Sequence, residues 1–222
     1  MKKYELTTNT KMRFGRKLFQ IKALVSFGSV KAGDLGGYIE KEENLSHDGD
    51  AWVYGDALVF GAARVYGNAR VYGDARVFGA AWVYGDARVS GAAWVYGNVL
   101  VYGNARVSGN ARVSGDARVS GAAWVYGNAR VFGDARVYGD ALIYGDANYI
   151  CFKGFGSESR NTTMSRTKNG GVFVCCGCFA GSLKEFSEKV KKTYGSSKYA
   201  KEYLACVEVA KIHFEIGEEN DK

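Results

Sequence analysis

The sequence predicts a mainly β fold, a parallel β-helix of triangular cross-section, because a six-residue repeat runs without interruption through its centre. Residues 51–146 divide into sixteen hexads of the form Ala-Arg-Val-Tyr-Gly-Asp, with no insertion and no deletion. The first slot is Ala in all hexads but one, the third is Val in all but one, and the fifth is always Gly. A short fixed period is the signature of a solenoid, in which each repeat is one structural unit.

Residues 1–50 are predicted to form a small β cap before the repeat. Lys17–Leu24 alternates weakly between apolar and polar residues, and Val30–Glu40 supplies a Gly-rich turn followed by a second short strand. The end of a solenoid exposes unpaired strand edges, which invite growth by edge-to-edge pairing. A cap at this end would block such growth.

Residues 51–150 are predicted to be the β-helix itself. Slots one and three place apolar side chains at period two, so they point inward, while slots two and four point outward. Gly followed by Asp, Asn or Ala makes a corner, since Gly and Asn or Asp tolerate positive φ. Three corners, and so three hexads, close a triangle, and successive triangles stack at about 4.8 Å. The hexads therefore form a triangular prism of about 5–6 coils.

Residues 151–222 are predicted to form a small α+β unit that caps the other end. Tyr149–Phe155 and Gly170–Phe179 have the composition of strands, with a polar loop or hairpin between them. Ser182–Glu185 is a capping box, which predicts that a helix begins there. Lys198–Phe214 carries a helical apolar stripe and predicts a second helix.

Two resemblances add to this interpretation. The hexad pattern resembles the left-handed hexapeptide β-helix of the acyltransferase superfamily, which implies a left-handed coil, although Gly here follows the aliphatic residue by two places instead of one. The flanks Gly33–Ser46, Val174–Phe186 and Ala200–Phe214 resemble phage and prophage hexapeptide-repeat proteins of poorly defined function. The second resemblance covers nearly the whole chain and implies an accessory protein of phage or prophage origin.

Charge, cysteine content and the lengths of apolar runs argue against a nucleic-acid-binding, secreted or membrane protein. The net charge of +7 is spread as +3 over residues 1–49, +1 over 50–150 and +3 over 151–222, so no basic block predicts nucleic-acid binding. Five cysteines, an odd number, favour reduced thiols in the cytoplasm. The start has no apolar signal-peptide region, and no apolar run is long enough to span a membrane.

An enzymatic function is not expected. Members of the acyltransferase superfamily use a catalytic His on a loop that leaves the β-helix, whereas no hexad here contains His and no loop interrupts the coils. Only His47 and His213 exist, and we expect them to pack under the N-terminal cap and on the last helix. An acyltransferase-like enzyme with a nonstandard base is an alternative.

No metal or cofactor is expected either. Cys175, Cys176 and Cys178, with two more cysteines elsewhere, could in principle hold zinc through four thiolates. There is no CxxC pair, however, and adjacent cysteines on a strand point to opposite faces. Buried thiols that act as small apolar groups are the preferred interpretation.

The candidate binding site is a basic notch on one face of the prism. Arg88 and Arg106 would stack with the small Ser90 and Ser108 beside them. The aromatic walls would be Tyr72 at one end and Trp124 with Tyr126 at the other. Such a notch suits a planar anion, since Arg binds phosphate in a bidentate manner and aromatic rings stack on bases. A secondary belt continues round the prism as Arg112, Ser114, Arg118 and Ser120.

The same residues have a simpler explanation, because duplication of a six-residue unit would copy Arg and Ser without selection for a site. We predict a non-enzymatic scaffold that binds a host protein or itself through these columns, and a counter-defence role is an expectation that rests on analogy. The resemblance to trimeric superfamily members favours a homotrimer. The alternative is a sponge for an anionic small molecule such as a signalling nucleotide.

Overall fold

Each hexad forms one two-residue strand, made by its second and third residues, and one corner. The computed structural model describes residues 2–216, and all sixteen hexads follow this rule. Each strand pairs in parallel with the strand three hexads later, for example Val89 with Val107 and Val107 with Val125. Three hexads therefore complete one coil, and the predicted β-solenoid with its triangular cross-section is confirmed.

The N-terminal unit is a three-stranded antiparallel sheet joined to the first coil. Its strands are β1 (Tyr4–Arg13), β2 (Arg16–Ala23) and β3 (Leu35–Ile39), which pair antiparallel in that order. β3 then pairs in parallel with the strand at residues 58–59, so the N-terminal sheet extends one face of the solenoid. The sequence predicted β2 and β3 but not β1, whose ten residues are mostly polar.

The sixteen short strands are the rungs of three faces, and each complete coil adds one rung to every face. Face 1 contains β4 (Trp52–Val53), β7 (Arg70–Val71), β10 (Arg88–Val89), β13 (Arg106–Val107), β16 (Trp124–Val125) and β19 (Leu142–Ile143). Face 2 contains β5 (Leu58–Val59), β8 (Arg76–Val77), β11 (Trp94–Val95), β14 (Arg112–Val113) and β17 (Arg130–Val131). Face 3 contains β6 (Arg64–Val65), β9 (Trp82–Val83), β12 (Leu100–Val101), β15 (Arg118–Val119) and β18 (Arg136–Val137).

The core of the solenoid is made by slots one and three alone. From Ala51 to Ile143 no side chain in these slots is more than 1% exposed. Slots two and four point outward, as predicted. A few of these outward side chains are nevertheless buried, because another part of the chain covers them. Trp52, Leu58 and Phe60 are buried in this way, because the N-terminal unit packs over the first rungs of faces 1 and 2.

The corners depend on glycine for two separate reasons. Fifteen of the sixteen slot-five glycines have positive φ, which L-residues other than Gly adopt at a cost. In addition, the corners stack closely. A Cβ added to Gly109 would lie 2.9 Å from the backbone nitrogen of Gly127 on the next rung.

Gly109→Ala is expected to destabilise the solenoid more than Gly133→Ala does. Both glycines have a φ of 66°, so both alanines bear the same conformational strain of about 1–2 kcal/mol. A Cβ at Gly133 has no atom within 4 Å, whereas the Cβ at residue 109 also collides with backbone. Urea unfolding monitored by circular dichroism would measure the difference. Equal midpoints for the two variants would show that the rungs can separate freely at a corner.

A buried asparagine closes each end of the solenoid. Asn44 and Asn148 follow the inward side chains of Ile39 and Ile143, each at the end of a short 3-10 turn (Glu42–Asn44 and Asp146–Asn148). In both turns the asparagine Oδ1 accepts hydrogen bonds from two backbone N–H groups, at 3.0–3.2 Å for Asn44 and 2.9–3.2 Å for Asn148. Backbone groups that leave the rung ladder are thus satisfied by a side chain of the protein itself.

The C-terminal unit is α+β, as predicted. Its antiparallel strands are β20 (Tyr149–Phe155), β21 (Arg160–Arg166), β22 (Val172–Cys176) and β23 (Phe179–Ser182), and its helices are α1 (Leu183–Tyr194) and α2 (Lys198–His213). Ser182 and Glu185 form the predicted capping box at the start of α1. Within residues 2–216, neither helix is long and apolar enough to cross a membrane.

This unit covers the last rungs of faces 1 and 3. The Thr163 hydroxyl accepts a hydrogen bond from the Arg136 backbone at 3.0 Å, and Thr167 forms a bridge with Ala141. The polar segment before Gly170, predicted to be a loop or a hairpin, belongs to a hairpin whose second strand is β21. The part of the C-terminal unit after residue 216 lies outside the described residues.

Candidate functional site

Face 1 presents three arginines on successive rungs. Arg70 pairs with Arg88, and Arg88 pairs with Arg106, so that one coil separates each from the next. Slots two and four of the hexads hold only Arg, Trp, Leu, Tyr, Phe or Ser, and every Asp of the hexads is in slot six at a corner. The flat part of face 1 therefore carries positive charge, while the acidic groups lie along its edges.

The structure brings the predicted notch residues together on face 1. Arg88 and Arg106 are exposed, and Ser90 and Ser108 beside them are half-buried. Tyr72, on the rung before Arg88, is 37% exposed. These positions follow from the three-hexad coil alone. Arg88 and Arg106 are one coil apart, as are Ser90 and Ser108, and each serine is in slot four of the hexad whose slot two holds the arginine.

The concavity on face 1 is displaced by one rung from the predicted notch. It has a volume of about 300 Å³ and is lined by Ser29, Tyr54, Arg70, Tyr72 and Arg88. Only Tyr72 and Arg88 among these were predicted. The displacement arises because the loop between β2 and β3 reaches over the first rungs and places the Ser29 hydroxyl 3.2 Å from that of Tyr54.

The other end of the notch is closed by a tryptophan that contacts two cations. The Arg106 guanidinium lies 4.7 Å from the ring of Trp124, and the Lys168 ammonium, at the tip of the β21–β22 hairpin, lies 5.0 Å from the same ring. Tyr126 meets Trp124 edge-on at 6.5 Å. Arg106 is therefore held against the wall by a cation–π contact, and its edge remains available for hydrogen bonds.

The secondary belt is only partly available. Arg112 is exposed and lies 5.1 Å from the ring of Trp94, and Arg118 is exposed on face 3. Ser114 is half-buried. Ser120, which the sequence predicts to point into solvent, is 7% exposed.

Two tyrosines explain the burial of Ser120. Tyr102 and Tyr138 occupy the rungs before and after it in the same column. Burial, and then the neighbouring Tyr102 hydroxyl, raise the pKa of Tyr138. A single serine between two tyrosines is thus covered, whereas the pair Ser90 and Ser108 on face 1 leaves a gap too wide to be covered in this way.

On faces 2 and 3, aromatic residues that follow one another in slot four form parallel stacks. On face 2, Phe60, Phe78 and Tyr96 have ring centroids 4.9 and 5.0 Å apart and planes within 3°. On face 3, Tyr66, Tyr84 and Tyr102 are spaced by 4.8 and 5.0 Å. On face 1, by contrast, the rings of Tyr126 and Tyr144 lie 5.8 Å apart and are tilted by 42°. The rung spacing therefore permits tyrosines on successive rungs, with parallel stacking seen on faces 2 and 3.

A larger groove, of about 580 Å³, lies at the N-terminal end of face 3, and the sequence did not indicate it. Its lining comes from the first 3-10 turn and from two rungs of face 3, namely Glu42, Glu43, Leu45, Ser46, His47, Arg64, Val65, Tyr66 and Trp82. The groove exists because the chain departs from the hexad length here. Val53 pairs with Val71, which is three hexads later in the sequence. Leu45 instead pairs with Val65, so this coil is two residues longer than three hexads.

His47 lines this groove and also contacts the N-terminal strand, as predicted. Its ring stacks on Tyr4 at 4.3 Å, and its Nδ1 accepts a hydrogen bond from the Lys3 backbone at 3.1 Å. In the neutral imidazole the proton is then on Nε2, which is buried, lacks a hydrogen bond and lies 3.8 Å from a Glu42 oxygen. Leu45, two residues before His47, is buried and pairs with Val65 on the first rung of face 3.

Lys3 seals the same end of the prism. Its side chain is buried, and its ammonium donates hydrogen bonds to the carbonyls of Gly49 and Ala51 and lies 4.6 Å from the ring of Phe27. Burial lowers the pKa of Lys3 to about 8. This lysine closes off the solenoid interior and does not face the groove.

The cysteines divide between the interior and the surface of the C-terminal unit. Cys175, Cys176 and Cys206 are buried, and Cys151 and Cys178 are exposed. Burial raises the pKa of Cys175 to about 12, so this thiol stays protonated. Among residues 2–216 no three His, Cys, Asp or Glu side chains come together in a way that could hold a metal ion.

Comparison with known proteins identifies a similar repeat. The family described as YdcK Beta solenoid repeat matches residues 63–79, 69–85, 81–97, 93–109, 99–115, 105–121, 111–127 and 123–139. These segments lie in the hexads and agree with the β-solenoid that the chain forms. No curated protein matches the chain.

Proposed function

We propose that the protein is a non-enzymatic scaffold whose face 1 binds an acidic surface of a host protein. In this proposal the solenoid is left-handed, comes from a phage or prophage, and acts in the cytoplasm of a bacterial cell as a counter-defence protein. The observation that carries the proposal is the column of Arg70, Arg88 and Arg106 on a flat face without acidic side chains.

The energetics of face 1 favour an anionic partner. Guanidinium groups on neighbouring rungs repel one another, and a carboxylate bound between them would remove that repulsion. Each rung is paired to the next through backbone hydrogen bonds, such as Arg88 N–H to the Ala105 carbonyl at 2.9 Å. The backbone that carries the arginines is therefore already ordered, so that binding of a partner costs little backbone entropy.

A homotrimer is a second use of the same kind of surface. Exposed aromatic rings remain on all three faces, including Tyr72 on face 1, Phe132 on face 2 and Trp82 on face 3. Each face thus offers an aromatic ring that a neighbouring subunit could bury, and aromatic residues are enriched at protein interfaces. Light scattering at micromolar concentration would separate the two uses, since a monomer of 24.1 kDa leaves these rings free for a different protein.

The concavity on face 1 favours one further candidate, a sponge for an anionic small molecule. Arg70 and Arg88 supply a phosphate site, and Tyr54 and Tyr72 supply rings on which a base can stack. Its volume of about 300 Å³ is at the lower limit of ordinary ligand sites, so it would take a mononucleotide-sized anion or part of a larger one.

Filling the notch is expected to abolish capture of the partner. In the variant Ser90→Tyr with Ser108→Tyr, two rings occupy the space beside Arg88 and Arg106 without disturbing the rungs, as the tyrosine stack on face 3 shows. The measurement is affinity capture from host lysate, followed by mass spectrometry of bound proteins and of released small molecules.

Ser114→Tyr makes the same change in the secondary belt on face 2, and unchanged capture by this variant would confine the partner to face 1. The nature of the lost material decides between a host protein and a small anion. If the face 1 double variant captures the same material as the wild type in the same amount, the partner does not use face 1.

A further inference from the structure

The groove on face 3 has the size of a small-molecule site, and its lining does not include any residue of face 1. Leu45 and Val65 form its apolar floor, the 3-10 turn at residues 42–44 forms one wall, and the side chains of two rungs form the other. Its volume of about 580 Å³ falls within the usual range for ligand pockets.

Two aromatic rings form a corner in this groove. The rings of Trp82 and Tyr66 meet at 78° with centroids 6.1 Å apart, and the indole is 40% exposed. A flat apolar group placed in the corner contacts one ring face-on and the other edge-on, the two geometries that aromatic pairs prefer.

The groove also holds one free anion and one free cation. Within residues 2–216, Glu43 and Arg64 form neither an ion pair nor a hydrogen bond through their side chains, although the Arg64 guanidinium lies 5.8 Å from the Trp82 ring. Glu42, by contrast, is bound by the Lys2 ammonium at 2.7 Å, which lowers the pKa of that carboxyl. The charges left for a ligand are therefore of both signs.

One wall of the groove contains a polar atom without a hydrogen bond. The Nε2 of His47 is buried and lies 3.8 Å from Glu42, too far for a hydrogen bond. Such groups are rare in protein interiors and mark places that are completed by a ligand or by a small rearrangement. A shift of Glu42 toward His47 would make the bond.

We propose that this groove binds an aromatic α-amino acid as its zwitterion. The ligand ammonium pairs with Glu43, the carboxylate receives the two-pronged hydrogen bonds of Arg64, and the aromatic ring occupies the corner of Trp82 and Tyr66. A phosphate-bearing ligand is disfavoured, because Glu42 and Glu43 on one wall would repel a dianion. This inference does not depend on the proposed function of face 1.

The test compares three ligands that differ in one charged group. L-phenylalanine carries both charges, 3-phenylpropionate lacks the ammonium, and phenethylamine lacks the carboxylate. Titration calorimetry of the full chain is expected to show saturable binding of L-phenylalanine and at least tenfold weaker binding of each analogue. Failure of L-phenylalanine to bind at millimolar concentration, or equal affinity for all three ligands, would overturn the proposal.

Two variants assign the charges to residues. Glu43→Gln should bind L-phenylalanine and 3-phenylpropionate equally, because the partner of the ammonium is gone. Arg64→Met should bind L-phenylalanine and phenethylamine equally for the converse reason. Arg118→Met, in the same column of face 3 but outside the groove, should behave as the wild type. If Glu43→Gln and Arg64→Met both retain the wild-type order of affinities, the ligand lies elsewhere and the proposal is wrong.

Discussion

Replacing Val107 with Asp is expected to abolish folding of the soluble chain. Val107 is fully buried, and its neighbours on the adjoining rungs are Val89 and Val125. The surrounding core consists of Ala and Val side chains, which offer no donor to a carboxylate. Burying an unpaired charge costs several kcal/mol, which is comparable to the total stability of about 5–15 kcal/mol of a typical protein.

Arg106→Ser is the matched control, since it changes the adjacent residue of the same strand. Arg106 is exposed, so this variant should lose only its cation–π contact with Trp124, about 0.5–1 kcal/mol. Soluble yield and thermal unfolding by circular dichroism would compare the two variants. A Val107→Asp protein that unfolds at the wild-type temperature would mean that slot three does not point inward.

Removing both arginines of the notch is expected to weaken binding to the face 1 partner by two to four orders of magnitude. Arg88 and Arg106 are exposed on adjoining rungs, so one anionic group can contact both. A hydrogen bond to a charged group contributes about 1.5–3 kcal/mol, and two such contacts correspond to that loss of affinity. Titration calorimetry of Arg88→Ala with Arg106→Ala, against the partner identified by capture, would measure the effect.

Arg130→Ala provides the control for this double variant. Arg130 is an exposed arginine of slot two on face 2, beside Phe132, and its loss removes the same kind of charge from a different surface. Circular dichroism should show that both proteins keep the β-solenoid. If Arg130→Ala weakens binding as much as the double variant does, the partner senses only the net charge and has no site on face 1.

The hexads could be predicted from sequence in detail, because each slot has one structural role. An inward Ala and Val, an outward pair and a glycine corner leave no freedom in register, and counting by three hexads places every rung. β1 could not be predicted in this way. Its residues are mostly polar, and it is a strand because its backbone pairs with β2, a contact that local sequence does not record.

The candidate sites were predictable only where they depend on the rungs alone. The neighbours Arg88 and Arg106 follow from the period, but the concavity beside them also needs Ser29 from a loop. Ser120 is buried between the larger side chains of Tyr102 and Tyr138, and how far they cover it depends on their rotamers. The face 3 groove arises from the longer path between Leu45 and Val53, where the repeat is no longer regular.

Because every three hexads complete one coil without interruption, the number of hexads determines how the C-terminal unit is rotated about the solenoid axis relative to the N-terminal unit. Gain or loss of one hexad would rotate all later rungs and the C-terminal unit by a third of a revolution relative to the N-terminal unit. Lys168, which now reaches Trp124 on face 1, would then lie beside a different face. Gain or loss of three hexads would change only the length. Duplication within such a gene can therefore act in two ways, as a lengthening that keeps each surface aligned or as a rotation that assembles new surfaces from unchanged parts.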